Sequence, residues 1–436
     1  MAALRTILIR GGWVLPLSEG GKPLRDGMVK ITGNKIAAVG PWREPVKETE
    51  PYEVIDARDR LVMPGLINTH THAAMVLFRG VADDLPLMTW LKEKIWPLEA
   101  RLTAEHVYWG TRLAINEMLL SGTTTFADMY FFLEEEARAV EETGIRAVLS
   151  RGLIGLDEQA ERNLEEAVVQ AREWRGRAGN RITMMLGPHA PYTCPPAFLK
   201  EVVAAAKQYN LGIHIHLAET ADELVEIGKE YGKRPVAYLA EQGLFSRPVL
   251  AAHAVWLDDG EISYLARQKV AIAHNPSSNM KLASGIAPVP KLLEAKIPVG
   301  LGTDSAASNN RLDIFTEMRT AALLHKVQAN DPTVIPAETA LKMATLYGAR
   351  ALGLGDVTGS LEPGKNADLI MLDLEKNHLT PLHDPVSLVV YAARGSDVND
   401  VMVNGEWLVR DRRFVRWDEE EVIREATRCA ELLVKK

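Results

Sequence analysis

Two histidines on alternate residues, His70 and His72 in "PGLINTHTH", follow directly on an apolar run in a chain with only 11 histidines among 436 residues. Residues i and i+2 of a β-strand project to the same face, so both imidazoles can reach one point from a single strand end. Residues of the same chemical kind end later apolar runs. They are His189 in "ITMMLGPHAPY", His216 in "LGIHIHLAE" with Glu219 after it, His253 in "PVLAAHAVW", His274 in "VAIAHNPSS" and Asp304 in "IPVGLGTDS". Neutral imidazoles with a carboxylate suit one divalent cation, zinc foremost, with Fe2+ and Mn2+ also accepting such a set. A position left for water brings that water's pKa towards neutrality and makes it a hydroxide nucleophile. Chance accounts for one histidine at a strand end. It fails for His70, His72, His216 and Asp304 together.

The same pattern assigns chemistry to the residues beside the cation. Glu219 leaves its strand three residues after His216, where a carboxyl group can protonate a ring nitrogen while hydroxide attacks the adjacent carbon. The competing role for Glu219 is a cap on the helix that starts near Thr220. His253 and Asp304 flank the water on its other side, orienting it and taking its proton. His274 divides evenly between a structural residue and one that supports a ligand. His106 on a helical stretch, and His325, His378 and His383 off the strand ends, read as ordinary structural residues.

Positioning these groups requires strands that end on one rim. Between about residues 61 and 360, eight β-branched or apolar runs alternate with helical patterns such as "TAEHVYWGTRLAINEMLLSG". That alternation predicts a TIM-like (β/α)8 barrel, in which the C-terminal strand ends form the active-site face. An open doubly wound sheet fits eight regular units less well. Residues 1–60 and 361–436 carry short alternating strands, with hairpin signals at Gly33-Asn34-Lys35 and Asn404-Gly405. They predict one small β-sandwich domain assembled from both ends. The Trp-, Leu- and Met-rich stretch "DDLPLMTWLKEKIWPLE" follows the first barrel strand. It reads equally as a lid, with Trp90 on an apolar part of the substrate, or as helix packing on the barrel.

Composition removes several classes of function. The formal charge is 50 − 58 = −8, with no basic stripe to neutralise phosphates, so no nucleic-acid partner is expected. Cys194 and Cys429 are the only cysteines; they build neither a disulfide framework nor a thiolate zinc site, and a reducing cytoplasm is expected. The opening apolar run is broken by Arg10, and no run is long enough to span a bilayer.

"PGLINTHTH", "HIHLAE", "AAHAVWL", "HNPSSNMKL" and "GLGTDS", in that order, resemble the amidohydrolase superfamily. The branch they resemble most is that of the 5′-methylthioadenosine/S-adenosylhomocysteine deaminases, over almost the whole chain. The resemblance implies His70, His72, His216 and Asp304 as metal ligands, Glu219 as proton donor and His253 as partner of the attacking water. It further implies that Glu99 binds the ribose hydroxyls, Arg151 the homocysteine carboxylate and His189 the substrate. No lysine ends the third or fourth barrel strand, which favours a mononuclear centre. The activity implied is metal-hydroxide attack at C6 of an adenine ring, releasing ammonia and leaving hypoxanthine. Rival readings are a hydrolase of guanine, cytosine or a triazine on the same machinery, and a non-catalytic barrel that serves in assembly. A homo-oligomer is compatible with the sequence, with Arg151 serving its own or a neighbouring site.

Overall fold

A computed structural model describes residues 5–44, 52–156 and 158–434. Strands β1 (Thr6–Val14), β2 (Leu24–Thr32), β3 (Lys35–Pro41) and β4 (Tyr52–Pro64) come first. The next eight are β5 (Leu66–Thr71), β6 (Thr123–Tyr130), β7 (Arg146–Leu153), β8 (Ile182–Pro188), β9 (Gly212–Leu217), β10 (Val249–His253), β11 (Ala271–His274) and β12 (Val299–Leu301). Last are β13 (Leu369–Asp373), β14 (Val398–Val403), β15 (Glu406–Arg410) and β16 (Arg413–Phe414).

Strands β5 to β12 lie side by side in chain order in one sheet. Each pair from β7 to β12 is parallel. The end of the last strand returns to the first: the Asp304 N–H donates to the His70 carbonyl at 3.0 Å. Beside it, the Thr303 N–H donates to Asn68 Oδ1 at 3.0 Å and Asn68 Nδ2 donates to Thr303 Oγ1 at 2.7 Å. The expected (β/α)8 barrel is present. Its strands are buried almost without alternation, β10 and β11 completely, as parallel strands covered on both faces must be.

Helices follow the strands: α1 (Ala104–Leu120), α2 (Leu133–Thr143), α3 (Ala160–Trp174), α4 (Pro196–Gln208), α5 (Ala221–Tyr231), α6 (Asp259–Arg267), α7 (Pro276–Lys281) and α8 (Val289–Glu294). Local chemistry sets their ends. Thr220 caps α5 by accepting from the Glu223 N–H, and Asp258 with Glu261 forms a capping box on α6. Gly144 and Gly232 stop α2 and α5 in left-handed conformations.

The small domain is one continuous mixed sheet in the order β16-β15-β14-β13-β4-β1-β2-β3. β1 pairs with β4 in parallel and every other neighbouring pair in this sheet is antiparallel. Asn404 (φ 53°) and Gly405 (φ 78°) turn β14 into β15, the two positive φ values a two-residue hairpin needs. Ile7, Ile9, Val29, Ile31, Val62, Leu369 and Met371 pack in its core.

Two compact units emerge, and their limits differ from boundaries at 60 and 361. The unit holding the small sheet also takes in residues 117–125 and 313–417, while the barrel unit takes in the chain from Asp418. The reason for the latter is the helix α9 (Glu419–Val434), whose Val422, Ala426, Cys429 and Leu433 are buried. The last three of these pack with Ala74, Leu77, Phe78, Trp90 and Ile95 of the barrel unit. Burial of this kind contributes roughly 1.5–3 kcal/mol per large apolar side chain.

Candidate metal and active site

His70 lies at the end of β5, fully buried, and its ring is oriented by a chain of hydrogen bonds. Ser150 Oγ donates to the Asp128 carbonyl at 2.6 Å and lies 3.1 Å from His214 Nδ1. With its own proton committed, Ser150 accepts from His214 Nδ1–H. His214 Nε2 is then an acceptor, and it meets His70 Nδ1–H at 2.8 Å. The proton of His70 is therefore on Nδ1 and its Nε2 lone pair points into the cluster, where it has no hydrogen-bond partner.

His72 and His216 are set the same way. His72 Nδ1–H donates to the Met129 carbonyl at 2.6 Å, and His216 Nδ1–H donates to the His189 carbonyl at 2.7 Å. Their Nε2 atoms face each other at 3.2 Å. Asp304 Oδ1 lies 3.6 Å from His70 Nε2 and 3.4 Å from His72 Nε2. Its Oδ2 accepts from Ser278 Oγ at 2.5 Å and Ser308 Oγ at 2.8 Å. Burial opposes ionisation of Asp304, yet the contact with His70 and the nearby His253 and His72 hold its carboxyl well below the usual range. Burial also lowers His70 to about 4, so this imidazole stays neutral. Three lone pairs and a carboxylate thus converge with no proton among them. Such a donor set calls for a cation, and His70, His72 and Asp304, like His70, His216 and His253, have ligand atoms within 4.8 Å of one another.

His253 and Glu219 stand beside this cluster. His253, with a φ of 72°, is in a conformation that costs a non-glycine residue about 1–3 kcal/mol. Its Nδ1 lies 2.8 Å from Asn279 Oδ1, which directs Nε2 to within 3.8 Å of Glu219 Oε2. Burial works against a charged His253, but Glu219 and Asp304 outweigh it and raise its pKa. Glu219 is raised by burial, with His253 opposing and Asp304 reinforcing the shift. The cap of α5 is made by Thr220, while Glu223 accepts from the Ala218 and Glu219 N–H groups at 2.9 Å each. The Glu219 carboxyl is left to the cavity, touched by Ser284 Oγ at 3.4 Å.

A family model described as "Amidohydrolase family" matches residues 61–408. This chain belongs to that family. A 5-methylthioadenosine/S-adenosylhomocysteine deaminase of Pelotomaculum thermopropionicum is 53% identical over 433 residues, covering 99% of this chain and 100% of the relative. A 5′-deoxyadenosine deaminase of Methanosarcina mazei is 51% identical over 430 residues, covering 98% of each. The crystal structure of an adenosine deaminase from Xanthomonas campestris with bound zinc superposes with a TM-score of 0.93 at 40% identity, over 98% of each chain. The amidohydrolase is a metal-dependent enzyme, and its His and Asp cluster suits a divalent ion.

In this amidohydrolase the cluster forms one wall of a cleft of about 720 Å³, its open mouth included. His72, His189, His216, Glu219, His253 and Asp304 line it, and so do Trp90 and Glu99 from the segment 87–99. That segment is three successive turns, Leu87–Trp90, a π-helical Leu91–Ile95 and Trp96–Glu99; single π turns recur at functional sites. Trp90 is nearly buried, its Nε1–H donating to the Ala82 carbonyl at 3.1 Å. Burial raises the pKa of Glu99, with the Tyr130 hydroxyl and His72 opposing. His189 Nδ1 lies 3.0 Å from Thr193 Oγ1, and burial, with the neighbouring histidines, lowers its pKa to about 3.

Of the expected site residues, His70 and Arg151 do not line the cleft; His70 lies behind its wall in the ligand cluster, whereas Arg151 stands apart from it. Alternation along β7 turns Ser150 and Gly152 inward, and Arg151 between them points to α3. There it meets Glu166 at 2.9 Å and donates to Asn163 Oδ1 at 3.0 Å. His274 is buried, its carbonyl accepts from the Gly302 N–H at 2.9 Å, and it joins neither ligand group. Tyr130, Met129, Tyr192 and Leu282 line the cleft without having been singled out. Nor were Ser278 and Asn279, although "HNPSSNMKL" contains both and their place in the first turn after β11 is the signal that finds them.

Among the described residues no helix is long and apolar enough to cross a membrane.

Proposed function

We propose that this amidohydrolase is a zinc-dependent, cytoplasmic deaminase that converts the adenine ring of 5′-methylthioadenosine and S-adenosylhomocysteine to hypoxanthine with release of ammonia. The observation that carries the reading is one cleft with two kinds of wall. Glu219, His253 and Asp304 line it where they would meet a purine edge, and Glu99 lines it as an acceptor suited to two vicinal ribose hydroxyls. Near-full-length relatives with that activity, and a zinc-bound relative, support it. Two buried free cysteines are consistent with a reducing compartment.

His70, His72, His216 and Asp304 would hold a divalent ion, which would supply Lewis acidity and bring a water's pKa towards neutrality. Asp304 takes one proton of the attacking water as the water's oxygen bonds to C6, and His253 orients that water. Glu219 gives its proton to N1, so the ring nitrogen does not carry negative charge as the C6 centre becomes tetrahedral. The proton held by Asp304 then passes to the exocyclic amine, the C6–N bond breaks and ammonia leaves. The C6 hydroxyl returns its proton to Glu219, and hypoxanthine keeps the proton on N1. Tyr130, Trp90 and Trp96 close over the apolar part of the substrate and exclude water. For Arg151 to serve the carboxylate of S-adenosylhomocysteine its side chain has to leave Glu166 and Asn163 on the α3 side of β7.

The test is ammonia release by the zinc-loaded protein from methylthioadenosine, S-adenosylhomocysteine, 5′-deoxyadenosine, adenosine, adenine, guanine, cytosine and a chlorotriazine. Turnover of the 5′-substituted nucleosides above the free bases is expected. Activity on a free base or triazine alone would overturn the ribose assignment.

A further inference from the structure

Thr71, between the two histidines of the first strand end, and Ala73, just after them, share one partner. Asp128 Oδ1 on β6 accepts from the Thr71 hydroxyl and from the Ala73 N–H, the latter at 2.7 Å. One carboxylate oxygen thus grips the chain on both sides of His72. The Asp128 carboxyl lies against that of Glu136 in α2. Both residues are fully buried. Asp128 Oδ2 and both oxygens of Glu136 have no donor among the described residues. Three buried acceptors without a donor cannot stand as two carboxylates, because like charges at contact in a dry interior repel strongly.

We propose that Asp128 and Glu136 share one proton at neutral pH, Glu136 donating it to Asp128 Oδ2, and that this acid pair positions the His70–His72 turn.

Among the described residues, neither Asp128 Oδ2 nor either oxygen of Glu136 meets a cationic donor. Arg146, the buried guanidinium of the neighbouring strand β7, donates to the Asn180 carbonyl at 3.3 Å. Arg138 on α2 pairs with Glu135 and Glu142 instead. The other titratable groups acting on the pair are His72, whose Nδ1 proton is given to the Met129 carbonyl, and Tyr130 of β6. Burial, and then the charge of Asp128, raises Glu136 well above its ordinary value. The pair titrates as a unit, so the proton belongs to both groups. Glu136 touches no ligand and acts through Asp128; it is a positioning residue.

The sign of the linkage gives a test that ordinary packing would not produce. A carboxyl whose proton is held more tightly folded than unfolded stabilises the fold fully below the unfolded value of 4.5 and loses that contribution as pH rises above it. Glu136→Gln keeps an N–H donor towards Asp128 at every pH. Relative to this variant, the unfolding constant of the metal-loaded wild type should rise by about tenfold per pH unit above the unfolded pKa until the pair ionises. Infrared difference spectra of the wild type against E136Q at pH 7 should show a buried carboxylic-acid carbonyl band. Zinc retention under chelator should fall in Glu136→Ala and recover in Glu136→Gln. The inference is overturned by a missing acid band at pH 7, by parallel pH slopes, or by equal zinc loss in E136A and E136Q. The zinc readout rests on the metal reading, whereas the acid band does not, so failure of one is distinguishable from failure of the other.

Discussion

Nε2 of His72 and Nε2 of His216 face each other at 3.2 Å, each ring having given its Nδ1 proton to a backbone carbonyl. Two lone pairs at that distance repel unless a positive charge lies within reach. The contact is therefore stabilising only with a cation bound. Stripping the protein with a chelator should lower its thermal midpoint and abolish ammonia release, and zinc should restore both. At 100 times the dissociation constant, bound metal contributes about 2.7 kcal/mol. An unchanged midpoint after verified metal removal would contradict the cluster's reading as a cation site.

Glu219 lies against His253 and Ser284, and its carboxyl is not used by the helix cap. Glu219→Gln should retain zinc at the wild-type ratio and lower kcat by about 10²–10⁴-fold. Steady-state kinetics with metal analysis on the same sample reads both. A variant keeping near-full turnover would remove Glu219 from the proton transfers.

His214 is not in the cluster, yet it fixes the tautomer of His70. Replacing it with alanine leaves His70 Nδ1–H without its acceptor. Zinc affinity should then fall by about 10–100-fold, measured by competition with a chromogenic chelator. Undiminished affinity would mean that His70 needs no orientation from behind.

The Arg151 guanidinium rests on Glu166 and Asn163. If it exchanges them for substrate, Arg151→Ala should lower kcat/KM for S-adenosylhomocysteine about 10–100-fold relative to methylthioadenosine, the range of one charged hydrogen bond. Equal effects on the two substrates would leave Arg151 as a strut between β7 and α3.

The barrel was legible because its strands carry a signal twice over, in their apolar runs and in the histidine or aspartate that ends six of the eight. His70, His72, His216 and Asp304 stand out for that reason. Arg151 shows the limit of such reading. Its type and its place near the end of the third barrel strand are visible in sequence, but the face it occupies depends on the pleat, and the pleat turns Ser150 and Gly152 inward in its stead. Ser278 on Asp304 joins two successive strand ends, while Ser308 on Asp304 and Glu136 against Asp128 depend on how the chain turns back just after a strand. The same holds for the grouping of residues 313–417 and of α9, which packing partners decide and composition does not.

Helix α9 is delivered by the ribosome long after the segment it covers. The last cluster residue, Asp304, precedes Glu419 by more than a hundred positions, so during synthesis the whole cluster is in the chain before the helix that shares an apolar core with Trp90 and Ile95. The apolar side of the cleft is thus the last part of the barrel unit that the chain can complete.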